Sequence, residues 1–164
     1  MDLDFFKTVN DNYGHDHGDI VLKEFSRLLT KHFSQHCISR FGGEEFCVFL
    51  PNLCQKQAIN LLDDFRVAVS KKRFIRKEVV VNCSVSIGVT SKFKRKVESM
   101  LSYADVNLYN AKDRGRNCIV GDEWTMAQQS IFISSHNLTP SIPITKAFFV
   151  SLIEKQDTQI QHTE

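Results

Sequence analysis

Two groups of carboxylates stand where divalent-metal chemistry could be done: Asp2 and Asp4 at the start of the chain, and Glu44 and Glu45 directly after Gly42-Gly43. Adjacent carboxylates supply the hard oxygen ligands that suit Mg²⁺. Glycine adds two properties, free access to positive φ and, lacking Cβ, room for a ligand to lie against the backbone. The stretch Arg40-Phe41-Gly42-Gly43-Glu44-Glu45-Phe46 is therefore a place where a charged nucleotide with its metal would fit. Taken alone, it reads more readily as an ordinary hairpin with its acids facing water, and context has to decide. Asp2 and Asp4, two residues apart, project to one side of an extended backbone, or are solvated charges at a chain end.

The elements that must position these groups follow from periodicity. Ile38 to Phe41 and Phe46 to Leu50 are short apolar runs, and a two-glycine joint between them predicts a tight hairpin holding Glu44 and Glu45 at a strand edge. Val21, Phe25, Leu28 and Leu29 recur at helical spacing between Gly18 and Phe33, with Asp16 or Asp19 placed to cap the start. The preceding Asn10-Asp11-Asn12-Tyr13-Gly14 is rich in turn and cap formers. His32 and His36, four apart, could share a metal, but with no third ligand nearby they read as frayed helix-end residues. Pro51 and Asn52 stop a strand and start a helix to about Lys71, whose apolar stripe is Ala58, Leu61, Leu62, Phe65 and Val69. The basic run from Lys71 to Lys77 predicts a solvated helix end and loop. Alternation from Val79 to Thr90 predicts one strand. Val97 to Asp113 is a helix with Gly115 as its stop, and Asn117 to Val120 a last short strand. Lys112 and Arg116, near that helix end, could simply complement its C-terminal dipole.

Length and composition bound the rest. A chain of 164 residues suits one domain with a real core and a short appendage. A net charge of +2 is too small to argue for nucleic acid or an anionic membrane as main partner. Cys37, Cys47, Cys54, Cys83 and Cys118 are odd in number and form no Cys-x-x-Cys pair, the pattern of reduced, buried thiols. No apolar run approaches a membrane span, so a cytoplasmic location is expected. Beyond residue 120 periodicity is lost. Only Thr145 to Lys155 suggests a short helix, and 121–164 is expected to be an appendage or linker.

Taken together, Asp2-Leu3-Asp4-Phe5-Phe6-Lys7-Thr8-Val9-Asn10-Asp11, Tyr13-Gly14-His15, Gly18-Asp19, Arg40 to Phe46, Ser84-Val85-Ser86-Ile87-Gly88 and Ala104 to Lys112 through Gly115-Arg116-Asn117 resemble the GGDEF family of diguanylate cyclases. Order and spacing match over residues 2–120. The resemblance implies an α/β palm of the nucleotide-cyclase, ferredoxin-like kind, a mainly antiparallel central sheet flanked by helices. It implies condensation of two GTP into cyclic di-GMP with release of pyrophosphate. It also implies a homodimer, because each domain holds one GTP.

By the same resemblance Asp2, the Leu3 carbonyl and Glu44 are the ligands of Mg²⁺ (or Mn²⁺), with Glu45 an accessory carboxylate. Lys7, Lys112 and Arg116 clamp the triphosphate with backbone amides near Phe5 and Phe6, Asn10 and Asp19 read guanine, and Gly43 lets the nucleotide lie on the turn. Three departures carry expectations of their own. Family members have about one strand and a helix before the first metal-binding aspartate, whereas Met1 alone precedes Asp2. The first strand is thus expected to be largely missing, its neighbours unpaired and metal affinity weak. Phe33 and His36 stand where many members carry an Arg-x-x-Asp pair that binds product, so no product inhibition is expected there. With no sensor segment upstream in this sequence, how the domain would be switched is not expected to be legible from it. The alternative function is a catalytically silent module that binds GTP or dimerises.

Overall fold

The computed structural model describes residues 1–92 and 96–122. The chain divides into two compact units, Met1–Glu123 and Trp124–Glu164, and every described element belongs to the first. The helix expected at Thr145 to Lys155 lies outside the described residues. In chain order the elements are β1 (Asp2–Leu3), α1 (Phe6–Tyr13), α2 (His15–His32), β2 (Cys37–Gly42), β3 (Glu45–Phe49), α3 (Gln55–Lys71), β4 (Arg73–Arg76), β5 (Val79–Asn82), β6 (Val85–Val89), α4 (Val97–Asp113) and β7 (Ile119–Gly121).

The main sheet runs β2-β3-β1-β6-β7. Every pair is antiparallel except β6 with β7, so the expected mainly antiparallel palm is what forms. Although β1 is two residues long, it pairs on both sides. Met1 and Phe46 exchange backbone bonds of 2.8 and 2.9 Å, Leu3 N–H donates to Glu44 O, and Asp4 N–H donates to Ser84 O. The expectation that its neighbours lack a partner is thus not met along residues 1–4.

Alternation gives the sheet two unlike faces. Leu3, Phe46, Val85 and Ile87 point into a core built with Val21, Phe25, Leu29 and Phe33 and with Leu62, Phe65 and Val69. Phe25, Phe33 and Phe65 are fully buried and meet edge to face, with Phe65 centroids 5.5 and 5.2 Å from the other two. Each such ring contributes about 1.5–3 kcal/mol by leaving water. Asp2, Asp4, Ser84, Ser86 and Gly88 take the opposite face, under α4. There α4 comes so near that a Cβ on Gly88 would stand 2.1 Å from Ala104 O and 2.3 Å from Leu108 N.

Several local expectations are corrected. Asn10 to Tyr13 belong to helix α1, because Phe6 and Val9, three apart, bury a common face that outweighs the turn preferences. Neither Asp16 nor Asp19 caps α2: Gly14 is its N-cap, with φ 81°, and Asp16 instead pairs with Arg76 at 2.6 Å. The alternating run from Val79 breaks at Cys83-Ser84 into two strands of different sheets, since period two senses alternation but not partners. Within the basic run, Phe74 is 2% exposed and fixes β4, which pairs with β5 in a hairpin turning at Lys77 (φ 53°). Cys37 is exposed, not buried. His32 and His36 are half-buried, each ring packed on Phe33. No helix among the described residues is long and apolar enough to cross a membrane.

Candidate active site

The β2–β3 turn is built by its backbone. Gly43 takes φ 34°, while Gly42 ends β2, and a Cβ at either would meet nothing within 4 Å. Arg40 reaches across the turn, donating from Nε and Nη2 to Gly43 O at 2.9 and 2.6 Å. The register then sets Glu45, exposed, directly across from Asp2, with half-buried Glu44 one residue earlier in the turn.

Asp2 is 6% exposed and Asp4 3%, so neither is a solvated terminal charge. Their partners differ. Lys112, from the last turn of α4, places Nζ 2.9 Å from Asp2 Oδ2. Asp4 accepts from Ser84 Oγ (2.6 Å), Ser86 Oγ (2.6 Å) and Asn117 N–H (3.0 Å).

Phe5, at φ 56°, turns the chain from β1 into α1, whose first turn holds no acidic residue and no side-chain cap. Unsatisfied N–H groups and the positive end of the dipole make such a start an anion site. Arg116 supplies charge to it, with its guanidinium 4.6 Å over the exposed Phe5 ring. A left-handed phenylalanine costs roughly 1–2 kcal/mol and persists where surroundings enforce it.

The structure therefore brings together Asp2, Lys112, Phe5 and Arg116, with the Leu3 and Glu44 backbones joined by a 3.3 Å bond. Lys7 is exposed in the first turn of α1, and buried Phe6 roots that turn in the core. Asn10 and Asp19 sit apart from this cluster on α1 and α2. A Cβ on Gly18 would come 1.9 Å from Asn10 Oδ1, so that glycine lets the amide lie against α2.

Two carboxylates facing across neighbouring strands repel unless a cation lies between them. Lys112 meets part of that need, and a hard dication suits the rest. Among the described residues no three His, Cys, Asp or Glu side chains converge on a point. A cation here would therefore draw on backbone, water or ligand oxygens besides any carboxylate, which is how Mg²⁺ is usually bound.

Residues that the sequence did not single out hold α4 in place. Asn107, buried in α4, donates from Nδ2 to Val89 O (2.7 Å) and Asp122 Oδ1 (3.1 Å). Burial pushes the Asp122 carboxyl up, but the Thr90 hydroxyl, the Ser91 N–H, the Asn107 amide and Lys92 outweigh it and hold it below the usual range. Arg66, from α3, donates to both the carbonyl and the side-chain oxygen of Asn117. A signal for Asp4 did exist: two serines spaced by two in an apolar strand match two aspartates spaced by two.

Residues 1–118 match the family model "Diguanylate cyclase, GGDEF domain". The chain is 37% identical over 126 residues to the response regulator PleD of Caulobacter vibrioides, covering 74% of this chain and 28% of PleD. With diguanylate cyclase A of Treponema denticola the identity is 38% over 120 residues, 71% of this chain and 32% of that protein. The chain thus spans about a third or less of these relatives. Among solved structures, the GGDEF domain of DgcB from Caulobacter crescentus, in complex with c-di-GMP, superposes with TM-score 0.69 at 30% identity, covering 73% of each chain. The active GGEEF domain of a diguanylate cyclase from Vibrio cholerae gives 0.66 at 30% identity, over 76% of this chain and 80% of that one. Sequence and fold agree, and the chain belongs to the GGDEF family.

Proposed function

We propose that residues 1–120 condense two GTP into cyclic di-GMP with release of two pyrophosphates, residues 121–164 being an appendage or linker whose role this reading leaves open. The observations that support this reading are the pairing of Lys112 with Asp2 and the placing of the Arg116 guanidinium over Phe5, the residue that opens α1. The triphosphate lies over the first amides of α1, with Arg116, Lys112 and Lys7 spreading its charge over several donors. Asn10 and Asp19 take the guanine edge, the carboxylate accepting from the base's N–H groups and the amide donating to its oxygen. Gly43 leaves open space over the turn for the nucleotide.

Asp2, Glu44 and the Leu3 carbonyl hold Mg²⁺ or Mn²⁺, and Glu45 assists. The ion, when bound, polarises the attacking 3′-oxygen and the α-phosphate. One domain positions one nucleotide, so bond formation takes a homodimer with two sites face to face. Incubation with GTP and Mg²⁺ should yield cyclic di-GMP, detected by mass, and Glu44→Ala should abolish it. A protein that binds GTP but makes no product would be the silent module instead.

A further inference from the structure

Asp4 is the most enclosed carboxylate beside the site, and the Asp-x-Asp spacing suggests a second metal ligand. Its surroundings argue otherwise. Oδ1 accepts from Ser86, and Oδ2 from both Ser84 and the Asn117 N–H, with the side chain 3% exposed. Both oxygens are engaged by neutral donors, and little surface is left for a hydrated cation.

What those bonds hold is the loop after α4. Arg116 and Asn117 are consecutive non-glycine residues at φ 66° and 45°. Left-handed backbone is disfavoured for Arg116 and tolerated by Asn117, so the loop keeps this shape by being tied. The ties come from three sides: Asp4 on the Asn117 N–H, Arg66 on the Asn117 carbonyl and side-chain oxygens at 3.1 and 2.9 Å, and the Ala111 carbonyl on the Arg116 N–H at 3.1 Å. With Asn117 held, the Arg116 guanidinium lies 4.6 Å over Phe5, the residue after Asp4. One carboxylate thereby precedes the ring and ties the loop that carries the cation, whose Nη1 also reaches the Lys112 carbonyl at 3.5 Å.

We propose that Asp4 is a positioning residue for Arg116, locking the loop that aims the guanidinium at the start of α1, and is not a ligand of the divalent ion. This rests on the phosphate-binding role proposed for Arg116, and the test separates the two.

In the full chain, Mn²⁺ alone is titrated by electron paramagnetic resonance, GTP with Mg²⁺ by calorimetry, and the Arg116 Nε–H proton is followed by NMR without ligand. Asp4→Ala should leave Mn²⁺ affinity within about twofold, the scatter of independent sites. It should weaken GTP about tenfold, the scale of one charge-assisted contact. It should also move the Arg116 proton from its ring-shifted position to that of a solvated arginine. In an Arg116→Ala background the same change should cost nothing further, whereas a merely structural role would add its full penalty. Asp4→Asn, which keeps an acceptor for Asn117, should restore most of the proton shift. Loss of Mn²⁺ binding in Asp4→Ala, or an additive penalty, overturns the proposal. Should Asp4→Ala not fold, Ser84→Ala, which removes one donor, should displace the Arg116 proton partway; an unmoved resonance refutes the lock. If the unaltered chain binds no GTP, the nucleotide reading fails, while the Arg116 resonance still decides the role of Asp4.

Discussion

Replacing Lys112 with methionine keeps the aliphatic stem and removes the ammonium 2.9 Å from Asp2 Oδ2. At that distance the bare attraction is about 6 kcal/mol for an effective permittivity of about 20. Most of it is cancelled. The lysine side chain is 32% exposed and the aspartate 9%, so solvent screens one partner and desolvation penalises the other. A net value of about 1.5–3 kcal/mol, as for hydrogen bonds to charged groups, is the sensible figure. A cation approaching Asp2 in the unaltered protein works against that pair. Lys112→Met should therefore bind Mn²⁺ alone about 10- to 100-fold more tightly, each 1.4 kcal/mol being tenfold, while binding GTP more weakly. The variant should also be less stable without metal, because Asp2 then faces Glu45 with no cation between them. Saturating Mn²⁺ should return that stability, since a ligand at 100 times its Kd adds about 2.7 kcal/mol. Paramagnetic resonance titration and thermal unfolding with and without Mn²⁺ read the two effects. Equal or weaker Mn²⁺ binding in the variant, or an identical metal-induced rise in Tm for both proteins, would refute the reasoning.

Single contacts elsewhere set three further outcomes. Gly88→Ala drives a methyl into the backbone of α4 at Ala104 and Leu108, and should cost about 1–3 kcal/mol by overpacking while displacing Lys112; denaturant melts and GTP titration check both, and an unchanged midpoint would contradict the close approach. Burial, aided by the charge of Asp4, pushes the Cys83 thiol up to about 11 from 9.0, so its folded pKa is raised. Stability from this group is whole below pH 9 and declines as pH rises toward 11. Maleimide at neutral pH should label exposed Cys37 and spare Cys83, and equal labelling by peptide mass would be the contrary result. Phe33→Arg, made to rebuild the product-binding pair, should unfold the domain instead of creating feedback, because that position is fully buried against Phe65; a folded variant inhibited by product would contradict this.

Where partners lie close in sequence the chain is legible. The helix from Val97 to Asp113 reads at its observed bounds, and the Gly42-Gly43 hairpin is plain, because periodicity and turn chemistry are local. Asp4 is easily mistaken for a solvated terminal charge because its donors lie 80, 82 and 113 residues away. Phe74 and Ile75 are hidden among cations, although one buried ring suffices to seat β4. The roles of Lys112 and Arg116 come from resemblance alone. At a helix end, cations that complement the dipole and cations that await phosphate look alike in sequence, and the distinction lies in Asp2 and Phe5, over a hundred residues earlier.

The sheet face under α4 explains why these distant residues had to meet. A row of Asp2, Asp4, Ser84 and Ser86 inside a fold is costly unless every polar atom finds a partner. Asp4 is matched by two hydroxyls and an N–H, all neutral, and that fixed set suits a part that stays still. Asp2 is matched by one partly exposed ammonium on a long, flexible stem. On the proposed reading, an incoming triphosphate would offer Lys112 a better partner and leave Asp2 in need of another cation. The two aspartates, alike in type and two residues apart, thus differ in what holds them, one tied by three fixed neutral donors and the other by a single flexible ammonium, and that difference is what the Lys112 and Asp4 variants probe.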